Sequence, residues 1–324
     1  MVIPMPVIKV IGVGGGGCRA VNGMIPSDLK GVTFIAVDTD KDSLRLSKAE
    51  SSLLIGKHIA RDWGADAYPV VGENAAYGNS QSLRRALSGA DIVFIVAGLG
   101  GDAGSGGAPI IAKIAREEGA LCIAVVTEPF DTEGSARKQR AEKCILELND
   151  VVDSYVVIRN QNIRKRKINE KQFASNNPFR ESDRLIGRTV VPILDAVLMP
   201  GHLNAEIQDI RMILSGAGRA YSGTGEGVGP DRAVNAARNV LLELEQFGYL
   251  KSSARKVLVN ITIGLDSGID ELVAILDDVK KSMASEAEIR FSAVVKENLQ
   301  NRIRVSVLAA ACDHEQVKCN VDQI

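Results

Sequence analysis

The chain has 324 residues, of which 45% are hydrophobic and 24% are charged. This length is enough for two domains, and the composition excludes collagen-like, mucin-like and highly charged disordered proteins. With 39 Lys and Arg against 40 Asp and Glu, the net charge is −1, so we expect no nucleic-acid partner.

The sequence has no features typical of a membrane, secreted or metal-binding protein. No segment has the roughly 20 consecutive apolar residues of a membrane span, and the first ten residues lack the basic region and cleavage site of a secretory signal. The five cysteines and three histidines are widely scattered, which favours reduced thiols and no metal site. We therefore expect a cytoplasmic protein.

In the first half, short Val- and Ile-rich runs alternate with helical patterns. Strands are predicted at residues 7–13, 32–37, 91–97, 121–126 and 154–158, and apolar residues at 3.6-residue spacing predict helices between them. This alternation is typical of an α/β fold with a doubly wound, Rossmann-like parallel sheet. Ligands of such sheets lie beyond the carboxyl ends of the strands.

Two loops that follow predicted strands are rich in glycine. The first reads Gly-Val-Gly-Gly-Gly-Gly-Cys-Arg-Ala-Val-Asn from Gly12 to Asn22, and the second reads Gly-Leu-Gly-Gly-Asp-Ala-Gly-Ser-Gly-Gly-Ala-Pro from Gly98 to Pro109. Consecutive glycines let backbone N–H groups approach an anion at a helix N terminus, and Ser105 adds a hydroxyl donor. Two such loops predict a phosphate-containing ligand.

The residues leave more than one phosphate ligand open. Gly12, Gly14 and Gly17 satisfy the dinucleotide fingerprint, and Asp38 lies where a ribose-binding acid is expected. An NAD-dependent oxidoreductase is therefore an alternative, although it leaves the second glycine loop unexplained. The chain lacks the Gly-x-x-x-x-Gly-Lys-Ser/Thr motif of P-loop proteins.

Further segments, together with these loops, carry a family resemblance. Residues 64–72 include Pro69 and Gly72, residues 125–134 are followed by Arg137, and residues 204–209 read Asn-Ala-Glu-Ile-Gln-Asp. Residues 100–106 resemble, in altered form, the glycine-rich signature of the tubulin/FtsZ family. Together these segments make the chain similar to that family over nearly its whole length, and most similar to its prokaryotic FtsZ branch. The resemblance implies the two-domain tubulin/FtsZ fold and a site for GTP or GDP.

The resemblance also implies the residues of that site. The two glycine loops would hold the phosphates through Gly14, Gly15, Gly16, Gly17, Arg19, Gly101, Asp102, Ala103, Gly104, Ser105 and Gly106. The rest of the nucleotide would be bound by Pro129, Glu133, Arg137, Asn160, Phe179 and Asp183. Glu133 would accept a hydrogen bond from the ribose, and Arg137 would approach the terminal phosphate. Phe179 would stack on guanine, and Asp183 would accept its two N–H donors.

Family members assemble head to tail, and the resemblance extends to the catalytic loop of the neighbouring subunit. In such filaments Asn204, Glu206 and Asp209 would complete the next subunit's site and orient the water that attacks the γ-phosphate. Asp209 corresponds to the catalytic aspartate of the family, whereas Glu206 replaces a second, shorter aspartate. Misplacement by about 1 Å can reduce a rate on the order of 10²-fold, so we expect slow hydrolysis.

The second glycine loop also departs from the family. Asp102 replaces a glycine and Ala103 replaces a threonine. A carboxylate beside a triphosphate is repulsive unless Mg²⁺ lies between them. Mg²⁺ could therefore accompany the nucleotide, and Arg19, which replaces an asparagine, could offset the charge of Asp102.

The second half reads as a smaller α/β unit. Helices are predicted at 207–220, 231–247 and 270–283, and strands at 257–263, 289–295 and 304–310. The expected domains are a nucleotide-binding domain at 1–178, a central linking helix and loop start at 179–203, a second domain at 204–316 and a tail at 317–324. Pro192 favours a kink in the linking helix.

Several functional expectations remain open beside a filament-forming GTPase. One alternative is a GTP- or GDP-binding scaffold or regulatory FtsZ paralogue without efficient hydrolysis, and an FtsZ paralogue is also a candidate partner. The residues after the last predicted strand contain no Pro/Ser/Gln-rich linker of the kind by which family members reach membrane tethers, and the sequence leaves the membrane tether open. The basic residues 164–167 are expected to be a solvated surface.

Overall fold

The computed structural model describes residues 5–27, 29–57, 69–165, 179–199, 201–249 and 254–311. The chain divides into two compact units, Met1–Val191 and Pro192–Ile324. Residues 64–68 of the segment 64–72 that carries the family resemblance, the basic residues 166 and 167, and the tail at 317–324 lie outside the described residues.

The first unit contains a parallel sheet with the strand order β3-β2-β1-β4-β5-β6. Its strands are β1 (Ile8–Val13), β2 (Val32–Asp38), β3 (Ser51–Leu54), β4 (Ile92–Gly98), β5 (Leu121–Glu128) and β6 (Ser154–Arg159). This is the strand order of a doubly wound Rossmann fold, so the predicted fold class is confirmed. The predicted strands match within two residues, and only the short β3 was not predicted.

Helices cover both faces of this sheet because its central strands are apolar on both sides. They are α1 (Gly14–Met24), α2 (Lys41–Arg45), α3 (Pro69–Gly78), α4 (Ser80–Leu87), α5 (Asp102–Glu117), α6 (Ser135–Val151) and α7 (Asn160–Lys165). Alternate strand residues pack with α3, α4, α5 and α6 in one core, and α1 contacts β1, β2 and β4. This arrangement fixes the N termini of α1 and α5 at the carboxyl edge of the sheet.

The helix α8 (Arg180–Leu198) contains the boundary between the two units. It continues as a helix through Pro192. Within the second unit, Asn260 Nδ2 donates to the carbonyl oxygen of Pro192 at 2.8 Å, and Lys296 Nζ pairs with the buried Asp195 Oδ2 at 2.7 Å.

The second unit contains a mixed sheet in the order β8-β11-β9-β10-β7. Its strands are β7 (Gly201–Leu203), β8 (Gly218–Val228), β9 (Ala254–Ile263), β10 (Glu288–Val295) and β11 (Arg302–Ala311), and its helices are α9 (Ile207–Leu214), α10 (Arg232–Gln246) and α11 (Ile269–Ser282). Strands β9 and β10 are parallel, whereas β11 is antiparallel to both β8 and β9. Helices α10 and α11 pack on this sheet over a second apolar core.

One predicted helix of the second half is wrong beyond its first two turns. Helix α9 ends at Leu214 rather than at residue 220, and β8 follows from Gly218. Gly216 and Gly218 have φ angles of 59° and 65°, a left-handed conformation that ends a helix and that glycine adopts without strain. The other predicted helices and strands of this half are confirmed to within three residues.

Two further expectations concern the whole chain. Within the described residues, no helix combines the length and the apolar composition that crossing a membrane requires. Of the cysteines that the structure describes, Cys18, Cys122 and Cys144 are buried free thiols, and burial raises the pKa of Cys18 to about 12, with a further contribution from Asp38.

Candidate functional site

The two glycine-rich loops lie side by side. Strands β1 and β4 pair in parallel with Val13 opposite Ala97, so the loops after them leave the sheet at the same edge. A Cβ atom added to Gly14 would lie 3.0 Å from Gly104 N, and one added to Gly16 would lie 3.2 Å from Gly98 Cα. The backbones of the two loops therefore contact each other directly.

Packing explains some of these glycines. A Cβ atom on Gly12 would lie 2.6 Å from Gly17 O, and Cβ atoms on Gly17 and Gly104 would collide with the carbonyl groups of Val96 and Gly98. These glycines bring the helices close to the strands, as the third glycine of a dinucleotide fingerprint does.

Gly15 and Gly101 have different surroundings. No atom lies within 4 Å of a Cβ placed on Gly101, and the nearest atom to one on Gly15 is Ser43 Oγ at 3.6 Å. A Cβ on Gly101 would therefore lie in open space, and one on Gly15 would make only ordinary van der Waals contacts. Packing does not require glycine at these two positions, so they are the ones that leave room for a ligand.

Both helices that follow these loops begin without a side-chain cap. The N-cap residues are Val13 for α1 and Gly101 for α5, and neither makes a side-chain capping hydrogen bond. A helix N terminus has unpaired N–H groups and a partial positive charge. Two such termini at one edge form a site suited to an anion such as a phosphate.

Asp102 and Ser105 modify the start of α5. Arg140 Nη1 lies 3.3 Å from Asp102 Oδ1, so Arg140 neutralises a carboxylate that would otherwise repel phosphate. Arg19, which was expected to offset this charge, pairs with Asp183. Ser105 Oγ accepts the N–H of Gly100 at 2.8 Å and is buried, so its oxygen closes the turn while its hydroxyl hydrogen remains available for donation.

The segment after β5 borders the second glycine loop. A Cβ on Gly100 would lie 3.2 Å from Arg137 Cβ and 3.4 Å from Pro129 Cγ. Glu133 Oε1 accepts the N–H of Phe130 at 2.8 Å, and Glu133 Oε2 pairs with Arg137 Nη1 at 3.1 Å. Glu133 therefore stabilises the turn, and Arg137 places an exposed cation beside the loop.

Asn160, Phe179 and Asp183 lie at the starts of two helices. Asn160 begins α7 after β6, Phe179 precedes α8, and Asp183 lies in the first turn of α8. Ser182 Oγ donates to the buried Asn160 Oδ1 at 2.7 Å, and the ring centroids of Phe130 and Phe179 are 5.8 Å apart. Phe130, Ser182 and Arg140 were not predicted as site residues, although Phe130 and Ser182 lie within the segments 125–134 and 179–183 that carried the resemblance.

Arg19 joins the first glycine loop to this cluster. Its Nε lies 2.8 Å from Asp183 Oδ2, its Nη2 lies 3.3 Å from Asp183 Oδ1, and its Cζ is 5.2 Å from the ring centroid of Phe179. Burial raises the pKa of Asp183, while the hydrogen bond and charge of Arg19 act in the opposite direction. The predicted base-binding residues and Arg19 thus form one charged and aromatic cluster.

Asp38, the ribose-binding acid of the NAD alternative, accepts hydrogen bonds from the backbone of its own loop. Asp38 Oδ1 accepts the N–H groups of Thr39 at 2.7 Å and Asp40 at 3.2 Å, and its residue is 4% exposed. Burial raises the pKa of this carboxyl group. A carboxylate so placed caps the turn after β2, and this arrangement does not favour the NAD alternative.

The predicted catalytic residues belong to the second unit and lie around the start of α9. Asn204 and Glu206 are exposed. Asp209 Oδ2 accepts the N–H of Glu206 at 3.0 Å, and Asp209 Oδ1 lies 3.5 Å from Arg290 Nε. Asp209 therefore caps the helix and pairs with a cation that was not predicted from the sequence. No group of three or more His, Cys, Asp or Glu side chains in the described part of the chain could hold a metal ion.

Comparisons with known proteins identify relatives of both units. A family model described as the GTPase domain of the Tubulin/FtsZ family matches residues 7–166, and one described as the C-terminal domain of the FtsZ family matches residues 218–313. The chain is 39% identical over 308 residues to the cell division protein FtsZ of Caulobacter vibrioides. That alignment covers 95% of this chain and 60% of the relative, so the chain spans about three-fifths of its length.

Solved structures show the same fold. An empty FtsZ dimer from M. jannaschii is 28% identical with a TM-score of 0.86, and the match covers 95% of this chain and 89% of the other. A GTPγS-bound protofilament of CetZ2 from Haloferax volcanii is 20% identical with a TM-score of 0.76, and the match covers 98% of each chain. At this lower identity the likeness concerns the fold alone.

Proposed function

Because this chain belongs to the tubulin/FtsZ family, we propose that it binds GTP and assembles head to tail into filaments. GTP would be hydrolysed slowly at the interface between subunits. The observation that carries the proposal is the pair of uncapped helix N termini at the contact of the two glycine loops. This pair forms one anion site next to an aromatic ring and a carboxylate suited to a base.

The proposed nucleotide spans these groups in order. The phosphates lie against the backbones of Gly15 and Gly101, where N–H groups donate to anionic oxygens. Arg137 contributes a cation near the terminal phosphate, and the ribose lies toward Glu133. Phe179 stacks on the base.

Guanine is favoured over adenine because of the charge on Asp183. A carboxylate only accepts hydrogen bonds, and guanine presents two adjacent N–H donors on its Watson–Crick edge. Adenine presents an acceptor at the same ring position and would leave this partly buried carboxylate without a donor. Asn160, held by Ser182, supports the base from α7.

We propose that Mg²⁺ enters with the nucleotide. Mg²⁺ is commonly held by substrate phosphates and one or two carboxylates rather than by a protein cage, which agrees with the residue types near α5. Asp102 is the carboxylate nearest the proposed phosphates, and Mg²⁺ would supply the positive charge that lets both groups lie together. Arg140 has the same effect on Asp102 within the chain.

Hydrolysis is proposed to need a second subunit. Asp209 would act on the attacking water of the neighbouring subunit as an orienting and polarising group, with Asn204 and Glu206 beside it. In this chain Asp209 also accepts the N–H of Glu206 and pairs with Arg290. These contacts reduce its availability as a base, and together with the longer Glu206 they favour slow turnover.

The proposal is tested by measuring phosphate release from GTP over a series of protein concentrations, with light scattering recorded on the same samples. Activity per subunit that rises above a critical concentration together with scattering is the expected result. Scattering without phosphate would favour the alternative of a scaffold or regulatory paralogue. A bound nicotinamide cofactor in the purified protein, identified by its absorbance, would contradict the proposal and favour an oxidoreductase.

A matched pair of variants isolates the catalytic role. Asp209→Ala is expected to abolish phosphate release while GTP binding remains. Asp278→Ala is the control, because Asp278 is an acidic residue of the same unit in an exposed helical pair with Lys281. Equal phosphate release from both variants would exclude a role of Asp209 in activating the attacking water.

A further inference from the structure

Arg19 occupies both groups that the proposed function assigns to the base. One guanidinium donates to both carboxylate oxygens of Asp183, at 2.8 and 3.3 Å. The same guanidinium lies over the ring of Phe179 with its Cζ 5.2 Å from the centroid. The recognition groups for the base therefore already have a partner within the chain.

This partner has the chemistry of guanine itself. A guanidinium is planar, stacks on aromatic rings and presents adjacent N–H donors in a fork. The N1–H and N2–H groups of guanine form a similar planar pair of donors. A base cannot stack on the covered side of Phe179 and donate to Asp183 while Arg19 fills both positions.

The side chain of Arg19 has room to move while its backbone is fixed. Its flanking residues Cys18 and Ala20 are buried in α1, whereas the Arg19 side chain is 41% exposed. Exposed side chains change rotamer within nanoseconds. A change of rotamer at Arg19 alone would therefore uncover Asp183 and Phe179.

We propose that Arg19 is a base-mimicking latch, which binds Phe179 and Asp183 as guanine would and must swing out before a guanine nucleotide binds. The inference rests on the proposed function, because it concerns the base half of the same site. An asparagine at this position would be too short to reach both groups and has no guanidinium.

The latch has a kinetic signature. Only molecules in which Arg19 has swung away from Phe179 and Asp183 can bind the base. The apparent affinity is therefore the intrinsic affinity multiplied by the fraction of such open molecules. Since the side chain reorients much faster than a nucleotide binds, the latch lowers the apparent association rate constant and leaves the dissociation rate constant unchanged. A residue that contacts the bound nucleotide would instead change dissociation.

The test compares wild type with Arg19→Asn, using GDP that carries a fluorescent label on its ribose. We expect Arg19→Asn to bind this GDP about 10-fold more tightly, as expected for a closed state that predominates about 10 to 1. The gain should lie in faster association, with dissociation unchanged. Inorganic tripolyphosphate, which has no base, should gain no affinity from the substitution.

Two variants serve as controls. Arg19→Lys keeps the charge but loses the forked donor geometry, so its GDP affinity is expected between those of wild type and Arg19→Asn. Arg45→Asn removes another exposed arginine of the first unit, paired with Asp42 at 2.9 Å, and is expected to bind GDP as wild type does.

The outcomes separate the latch from the function on which it rests. If wild type binds GDP and Arg19→Asn binds it equally or more weakly, the latch is wrong and the proposed function stands. Weaker binding with faster dissociation would show that Arg19 holds the nucleotide instead. If neither protein binds GDP, both the latch and the proposed function are overturned.

Discussion

At the scale of single residues, Asp183 is a carboxylate in surroundings that disfavour its charge. Burial raises its pKa, and Arg19 only partly opposes this effect. Guanine needs the ionised form as an acceptor, so GDP affinity should fall as the pH decreases through the raised pKa. The expected fall approaches 10-fold per pH unit, because binding is coupled to the release of about one proton.

The measurement is a series of GDP titrations from neutral pH downward, through the raised pKa of Asp183 to the lowest pH at which the protein stays folded. Asp183→Asn is the control, since its amide does not titrate and leaves only the pH dependence of the phosphates. A wild-type profile parallel to that of Asp183→Asn would contradict the prediction. Without nucleotide, a raised pKa means that the folded state binds the proton more tightly, so this carboxyl group lowers stability as the pH rises through that pKa.

Only part of this residue-level chemistry was predictable from the sequence. The glycine loops were found from their own residues, because runs of glycine have few structural explanations. Phe179 and Asp183 were identified only by resemblance, since they lie on an element remote in sequence from both loops. The pairing of Arg140 with Asp102 was missed because it joins two helices 38 residues apart in the chain.

At the scale of elements, β8 is a strand that was not predicted because its sequence is rich in glycine. Its sequence Gly-Arg-Ala-Tyr-Ser-Gly-Thr-Gly-Glu-Gly-Val resembles a loop. The glycines at 223, 225 and 227 alternate, however, and all face α10: a Cβ on Gly223 would lie 2.9 Å from Val240 O, and Cβ atoms on the other two would collide with the backbone of α10. The missing side chains let the helix lie directly on the strand.

Gly225→Ala is therefore expected to destabilise the second unit. The added methyl group would meet backbone atoms of Ala236, Asn239 and Val240, which cannot move as a flexible side chain can. Overpacking of this kind costs about 3 kcal/mol. Thermal unfolding of the full chain, with hydrogen exchange of the α10 amides, would measure the loss.

Gly268→Ala is the matched control within the same unit. A Cβ there meets no atom within 4 Å, and its backbone φ of −96° is accessible to alanine. Its position as a helix N-cap limits the expected cost to less than about 1 kcal/mol. Equal destabilisation by both substitutions would show that the contact of β8 with α10 is not the reason for the glycines.

The remaining elements were predicted from their hydrophobic patterns. Alternation of buried strands and amphipathic helices predicted the doubly wound sheet, and 3.6-residue periodicity predicted α10 and α11. Strands β3 and β7 were missed because they have only four and three residues. The end of α9 was misplaced because the small residues after Leu214 were taken as part of the helix, whereas the left-handed Gly216 and Gly218 end it.

At the scale of the whole molecule, the proposed nucleotide site belongs to one unit and the proposed catalytic acid to the other. Asp183 and the glycine loops lie in Met1–Val191, and Asp209 lies in Pro192–Ile324. If assembly is head to tail, each interface joins the nucleotide site of one subunit to the acid of the next. The two parts of the site can then be disabled in different molecules.

Mixing two inactive variants should therefore restore hydrolysis. Asp209→Ala keeps the nucleotide site, and Asp183→Asn keeps the acid but binds GTP weakly. In an equimolar mixture with random order along a head-to-tail filament, about one quarter of the interfaces combine an intact nucleotide site with an intact acid. Phosphate release at a GTP concentration that saturates only the intact site should reach about that fraction of the wild-type rate.

The control for this mixture carries both substitutions in one chain. The double variant mixed with Asp209→Ala contains no Asp209 at any interface, so it should release no phosphate even if filaments form. If hydrolysis were completed within a single chain, the first mixture would give only the mean of its two components. Restoration above that mean requires one subunit to act on the nucleotide of another, because neither variant contains both halves of the site.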